Sequence, residues 1–279
     1  MVRFHVGFAV ALAAAALGAS PPLSAQPLPA VEATFADLTD LTLGSPVVLR
    51  ATILKAEKLN RREAPDVPAG RVRMLIDAQV QGVLTSRDVV PARISYLWEG
   101  SLDARGKVPK LKGASVLLFL RRVPGRDGQY QLTSPDGQMA WSDRSEAAVR
   151  QVLTDARSPD LRDLRITGIG NAFHVRGSIP GEAESQIFLN TASGRPVSLV
   201  VLSRPGQAKS YSVALSDIID DAAASVPRDT LMWYKFACAL PPALPPKAVA
   251  ELGDEDRAAV SADYQFVLSS LGACTRTLR

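Results

Sequence analysis

The sequence predicts a mainly β fold with an α+β second module: a small β-barrel followed by a strand-rich sheet covered by two or three C-terminal helices. Three observations carry this. Between residues 46 and 134, runs of alternating or β-branched residues follow one another with no helical pattern between them. A second series of strand-like runs, punctuated by glycine, fills residues 164–215. Helical periodicity returns only afterwards.

The chain opens MVRFHVGFAVALAAAALGASPPLSAQPLPA. Arg3 precedes the uncharged run Val6–Ala19, and small residues follow up to Ala25. This is the pattern of a cleavable secretory signal peptide over 1–25, and the apolar run is shorter than the roughly 20 residues a membrane span needs. The expected location is periplasmic or secreted. Cleavage would remove Arg3 and His5 and leave the formal net charge of +4 one unit lower. So small an excess points away from nucleic acid as a partner. Two cysteines remain, Cys238 and Cys274, and in an oxidising compartment they are expected to form a disulfide.

The first module is placed at 26–158. PVVLRATILKAEK (46–58) is a strand, and NRREAPDVPAG is a polar, proline-containing loop. In RVRMLIDAQVQGVL (71–84), Val72, Met74, Ile76, Ala78 and Val80 share one face. ARISYLWEG alternates in the same way, with Ile94, Tyr96 and Trp98 together. ASVLLFLRRV (114–123) is apolar throughout, as a strand buried on both faces would be, and QYQLTS returns beside it. Asp143 and Glu146 mark a helix start, with Val149, Val152, Leu153 and Ala156 as its apolar stripe and Ser158-Pro159 as its stop.

The second module is placed at 159–279. FHVRG and SQIFLNT are expected to pair around the loop SIPGEAE, with Val175 facing Ile187 and Phe173 facing Leu189. His174, Arg176, Gln186, Phe188 and Asn190 would then share the other face, a candidate binding surface for a peptide or sugar. PVSLVVL is apolar on nearly both sides and belongs at the centre of a sheet. SDIIDDAAASV, DTLMWYKFACAL and DEDRAAVSADYQFVLSSL read as the covering helices, the last with Val260, Tyr264, Val267, Leu268 and Leu271 inward and Gly272 as its stop.

Two resemblances follow from these stretches. VVLRATI, a long alternating strand, then KGASVLLFLRR with GQYQL behind it, resembles the OB-type barrel of netrin-like modules, on which the tissue inhibitors of metalloproteinases are built. The resemblance covers about residues 40–142 and implies the barrel. Those inhibitors depend on an N-terminal cysteine and internal disulfides, which this half lacks, so no functional residue carries over. GEAESQIFLNT, RPVSLVVL, TLMWYKFACALP and LGACTRTL resemble uncharacterised secreted proteins of Gram-negative bacteria, which implies no activity.

Several chemistries lack their residues. With His174 the one histidine after cleavage, no H-E-x-x-H or multi-histidine metal site is available, and no metal or cofactor is expected. G-x-S-x-G, S-x-x-K and the phosphate-cradling G-x-x-x-x-G-K are absent. A triad of His174, a serine such as Ser185 and an acid such as Glu184 stays open, because triads assemble from distant segments. Lys107, Lys110 and Lys112, with Arg121, Arg122 and Arg126 in the neighbouring turn, would form a basic rim. The sequence thus favours an exported, non-enzymatic binding or scaffolding protein whose partner is a protein, peptide or glycan of the cell envelope. The alternatives are a hydrolase using His174 and a netrin-like inhibitor of a secreted protease.

Overall fold

The computed structural model describes residues 32–215 and 226–278. The expected signal peptide and most of the expected helix at 216–226 lie outside the described residues.

The first half is a closed barrel. Strands β1 (Val47–Lys58), β2 (Arg71–Thr85), β3 (Arg93–Ser101), β5 (Gln129–Leu132) and β4 (Ser115–Arg122) follow one another around it, and β1 closes on β4. All of these pairs are antiparallel except β3–β5, which is parallel. This order is OB-like. Period-two alternation fills the interior with Val47, Leu49, Ala51 and Ile53 of β1, Val72, Met74, Ile76 and Ala78 of β2, and Val116, Leu118 and Leu120 of β4. Each of these valine, leucine, isoleucine and methionine side chains contributes about 1.5–3 kcal/mol relative to exposure, and each alanine less. Trp98 folds back over Gly100, where an added Cβ would lie 2.0 Å from the indole, so only glycine fits.

β4 is buried from Val116 to Leu120 because its two faces belong to different cores. Leu117 and Phe119 point out of the barrel and pack with Val48 under two helices, α1 (Phe35–Leu43) and α2 (Asp143–Asp155), through Leu38 and Val149. The short β6 (Gln138–Ala140) pairs with β4 beside them. The sequence expectation placed no helix before β1. The cap of α2 lies one residue before the expected D-x-x-E signal: Ser142 is the N-cap and forms its capping box with Ser145, while Glu146 accepts from the Trp141 indole N–H at 2.7 Å.

After the short α3 (Pro159–Arg162), the second half is a four-stranded antiparallel sheet in the order β10 (Ser210–Ala214), β9 (Val197–Ser203), β8 (Ala183–Thr191), β7 (Ile166–Arg176). β9 is central and buried from Val197 to Val201, as expected. One face is covered by α4 (Leu231–Ala237), a 3-10 turn at Pro246–Val249 and α5 (Asp254–Leu271). Ile169, Ile187, Leu199 and Val201 meet Phe236, Ala248, Val260, Tyr264 and Val267 in that core. Gly272 ends α5 with φ 71°, a conformation natural to glycine.

Cys238 and Cys274 form a disulfide. It fixes the chain beyond α5 against α4, and that tail clasps α1. The Asp37 carboxylate, 3 % exposed, accepts from the backbone N–H of Thr34, Thr277 and Leu278 and from both threonine hydroxyls. Burial raises the pKa of this carboxyl, but the hydrogen bonds from Thr277 and Thr34 outweigh it and hold it below the usual value. Arg276 pairs with Asp40 at 2.6 Å, and Asp40 also accepts from the Tyr234 hydroxyl. Phe35 meets the Trp233 ring edge-on at 6.1 Å, and Asp155 of α2 accepts from the Leu231 N–H at 3.1 Å. These contacts join the halves, and Ala33–Arg279 forms one compact unit.

Candidate functional site

The β7–β8 hairpin carries every candidate residue, and its register decides what they do. Gly177 N–H donates to the Glu182 carbonyl at 2.8 Å, so β7 ends one residue earlier, at Arg176, and β8 begins two residues earlier, at Ala183, than in the expected pairing. Phe173 therefore pairs with Gln186, His174 with Ser185 and Val175 with Glu184, instead of Phe173 with Leu189 and Val175 with Ile187. The displacement is odd, so it exchanges the faces of one strand relative to the other.

The five expected co-facial residues are thereby divided. His174 and Arg176 lie on the helix-covered side with Ser185 and Ile187. Gln186, Phe188 and Asn190 lie on the outer side with Phe173 and Val175. Phe188 is half-buried and meets the Phe173 ring edge-on at 5.9 Å. Gln186 donates to Ser198 Oγ at 3.4 Å. Asn190 is exposed and sits against Gly170, where a Cβ would meet its Oδ1 at 2.8 Å.

On the covered side, four polar groups converge. The Ser185 hydroxyl donates to Asp263 Oδ2 at 2.6 Å, Lys209 donates to Asp263 Oδ1 at 2.5 Å, and His174 Nδ1 lies 2.9 Å from Ser185 Oγ. The side chains of His174 and Asp263 are 8 % and 5 % exposed, and Ser185 is fully buried. The hydroxyl has one proton and gives it to the carboxylate. The remaining contact must be made by a ring N–H, so Nδ1 carries the proton that faces serine.

This order differs from that of a nucleophilic triad. There the histidine stands between serine and acid and receives the serine proton on a ring lone pair. Here the serine stands between histidine and acid, its oxygen is sealed from solvent, and the ring nitrogen facing it is a donor. The cluster ties β7, β8 and the residue before β10 to the middle of α5. Glu184, expected as a candidate triad acid, points to the outer side. Arg176 reaches Glu255 at 2.7 Å and Asp256 at 3.4 Å at the start of α5. The Glu255 hydrogen bond and charge raise the arginine, and the guanidinium lowers Glu255 in return.

Asp263 and Lys209 were missed as members of this cluster. A signal for Asp263 is present in the sequence: it falls on the stripe Val260, Tyr264, Val267 at helical spacing, and an acid on a core stripe requires partners. Nothing comparable marks Lys209.

The outer side of the sheet forms an open groove of about 480 Å³. Phe173, Val175 and Leu202 supply its apolar surface; Glu182, Glu184, Gln186 and Arg204 supply polar groups. Phe173 and Val175 are 44 % and 64 % exposed. Among the described residues, neither Glu182 nor Glu184 has a side-chain ion pair. A second cavity, about 510 Å³, lies at the barrel end between Lys58 and Arg73. Part of its charge is matched: Arg73 binds Asp66 and Glu99, and Arg71 binds Glu99, while Lys58 and Arg61 of its lining have no side-chain ion pair among the described residues.

The expected basic rim is not continuous. Lys107, Lys110 and Lys112 precede β4 while Arg121 and Arg122 end it and Arg126 follows, so the length of the strand separates the two groups by about 20 Å at roughly 3.3 Å per residue. Arg122 is further occupied by Asp88 and Asp127, both at 3.3 Å. No group of three or more histidine, cysteine, aspartate or glutamate side chains among the described residues is placed to hold a metal ion. No helix among them is long and apolar enough to cross a membrane. No family model matches the chain, and no curated protein matches it.

Proposed function

We infer that this is an exported, non-enzymatic binding protein of the cell envelope, and that it holds a peptide or glycan in the groove on the outer face of the β7–β10 sheet. The observation that carries the reading is the pairing of exposed Phe173 and Val175 with two carboxylates, Glu182 and Glu184, that have no internal partner. A surface built only for solubility rarely places apolar side chains beside unmatched charges in a concavity, whereas ligand sites combine an apolar lining with a few free polar groups. The groove volume falls in the range of such sites, roughly 300–1,000 Å³. The disulfide and the pattern of the N-terminus support export. The serine-centred order of the His174–Ser185–Asp263 cluster supports binding over hydrolysis.

The test is a titration of the mature protein with two envelope-type probes, a blocked peptide and an N-acetylglucosamine oligosaccharide, followed by amide chemical shifts. At least one probe should move signals confined to Phe173–Gln186 and Leu202–Arg204, and Val175→Lys should abolish the response. Failure of both probes to perturb the groove contradicts the reading.

A further inference from the structure

We propose that the ligand is an extended peptide carrying basic side chains, and that it binds as a fifth strand on the free edge of β7. This rests on the binding reading above and deepens it. β7 is the last strand of its sheet. In an antiparallel ladder, hydrogen-bonded and non-hydrogen-bonded pairs alternate. The Gly177–Glu182 bond sets the phase: Gly177, Val175 and Phe173 bond to β8, so the backbone N–H and C=O groups of His174 and Arg176 point outward, away from the sheet. Ala172 has the same phase, and its N–H is taken by the Asn171 side chain at 2.9 Å. Ala172 and the residues before it are also tied to the core shared with Ala248 and Val249. The open edge therefore begins at Phe173. From there the strand rises to the surface, with Phe173, Val175 and Arg176 exposed.

An added strand would place alternate side chains on the two faces. On the outer face they would lie beside Phe173 and Val175, and Glu184 is directly across from Val175. A lysine there could lay its methylenes over Val175 and bring its ammonium to Glu184, with Glu182 next along the groove. On the inner face they would lie beside His174 and Arg176. Arg176 is already neutralised by Glu255 and Asp256, so it neither requires an acidic ligand nor repels a basic one strongly. Unmatched charge on the groove side is thus two carboxylates against Arg204, which favours a cationic ligand. Backbone groups, apolar contacts and charge all indicate the same occupant.

The probe is a blocked octapeptide, Thr-Val-Thr-Lys-Thr-Val-Thr-Lys, titrated into the mature protein and read by fluorescence anisotropy. Replacing both lysines by glutamate should weaken binding at least about tenfold, and the double variant Glu182→Gln/Glu184→Gln should weaken the lysine peptide about fivefold to tenfold. N-methylation of the backbone nitrogens along one edge of the peptide should abolish binding, while methylation along the other edge should leave it within about twofold. Arg176→Pro, which removes an outward N–H from an edge position, should act like the first methylated peptide. The methylated pair tests the same bond without altering the protein. Equal affinity for the lysine and glutamate peptides, or insensitivity to methylation on both edges, overturns the proposal. Oligosaccharide binding in the groove without peptide binding overturns strand addition and leaves the binding reading standing; no binding by any probe overturns both. Self-association of the protein alone that Arg176→Pro abolishes would assign the edge to a second copy and also overturn it.

Discussion

Asp263→Ala should lower the stability of the protein by about 3–5 kcal/mol, the usual cost of breaking a buried charged hydrogen-bond pair. In a chain of this size the melting temperature would fall by roughly 10 °C. Asp263 is 4 % exposed and accepts from Ser185 and Lys209. Alanine leaves the Ser185 hydroxyl fully buried without an acceptor and opens a void on the core stripe of α5. Lys209 is 37 % exposed and can return to water, so most of the loss comes from the serine side. Asp263→Asn keeps an acceptor oxygen and should lose less than half as much. Thermal denaturation followed by far-UV circular dichroism measures both. Groove binding should persist in Asp263→Asn, because the cluster and the groove lie on opposite faces of the sheet.

Reducing the Cys238–Cys274 disulfide should cost about 3–4 kcal/mol on the chain-entropy account for a loop spanning 36 positions. The effect should be local before it is global. The bond holds the tail in which Thr277 and Leu278 donate to Asp37, and Arg276 packs over Tyr234 at 5.9 Å while pairing with Asp40. Released, the tail no longer occupies Asp37, and α1 is left with its Phe35–Trp233 and Asp40–Tyr234 contacts to the second half. Hydrogen exchange should accelerate first across Phe35–Leu43 and the tail, while β1–β4 of the barrel keep their protection. Uniform acceleration through the barrel would show that the clasp does not act on α1.

β2 and β3 were legible because they alternate, and β4 because burial on two faces leaves a continuous apolar run. Their closure was not written locally. The parallel β3–β5 pairing joins Tyr96 to Tyr130 through a strand spanning only Gln129–Leu132. α1 escaped notice because Thr39 and Thr42 interrupt its apolar stripe. Folded, their hydroxyls bond back to the Phe35 and Leu38 carbonyls and both residues are buried. At the candidate site, residue types were readable but partnership was not. The hairpin register depends on the loop length: a loop over 178–184 would pair Val175 with Ile187, whereas the Gly177–Glu182 bond pairs it with Glu184, and that odd shift moves Gln186 and Phe188 to the face opposite His174. Ser185 and His174 do meet, as the open triad reading allowed. The acid that joins them comes from α5, a separation no local pattern encodes.

The Ser185 oxygen is locked as donor and acceptor between His174 and Asp263, and in the proposed function the ligand is held on the other face of the sheet. The most direct measurement is exposure of the native mature protein to a serine-directed fluorophosphonate, followed by intact mass. The expected result is an unmodified mass, with Ser185→Ala altering stability but not groove binding. Stoichiometric labelling at Ser185 that His174→Ala removes would contradict it.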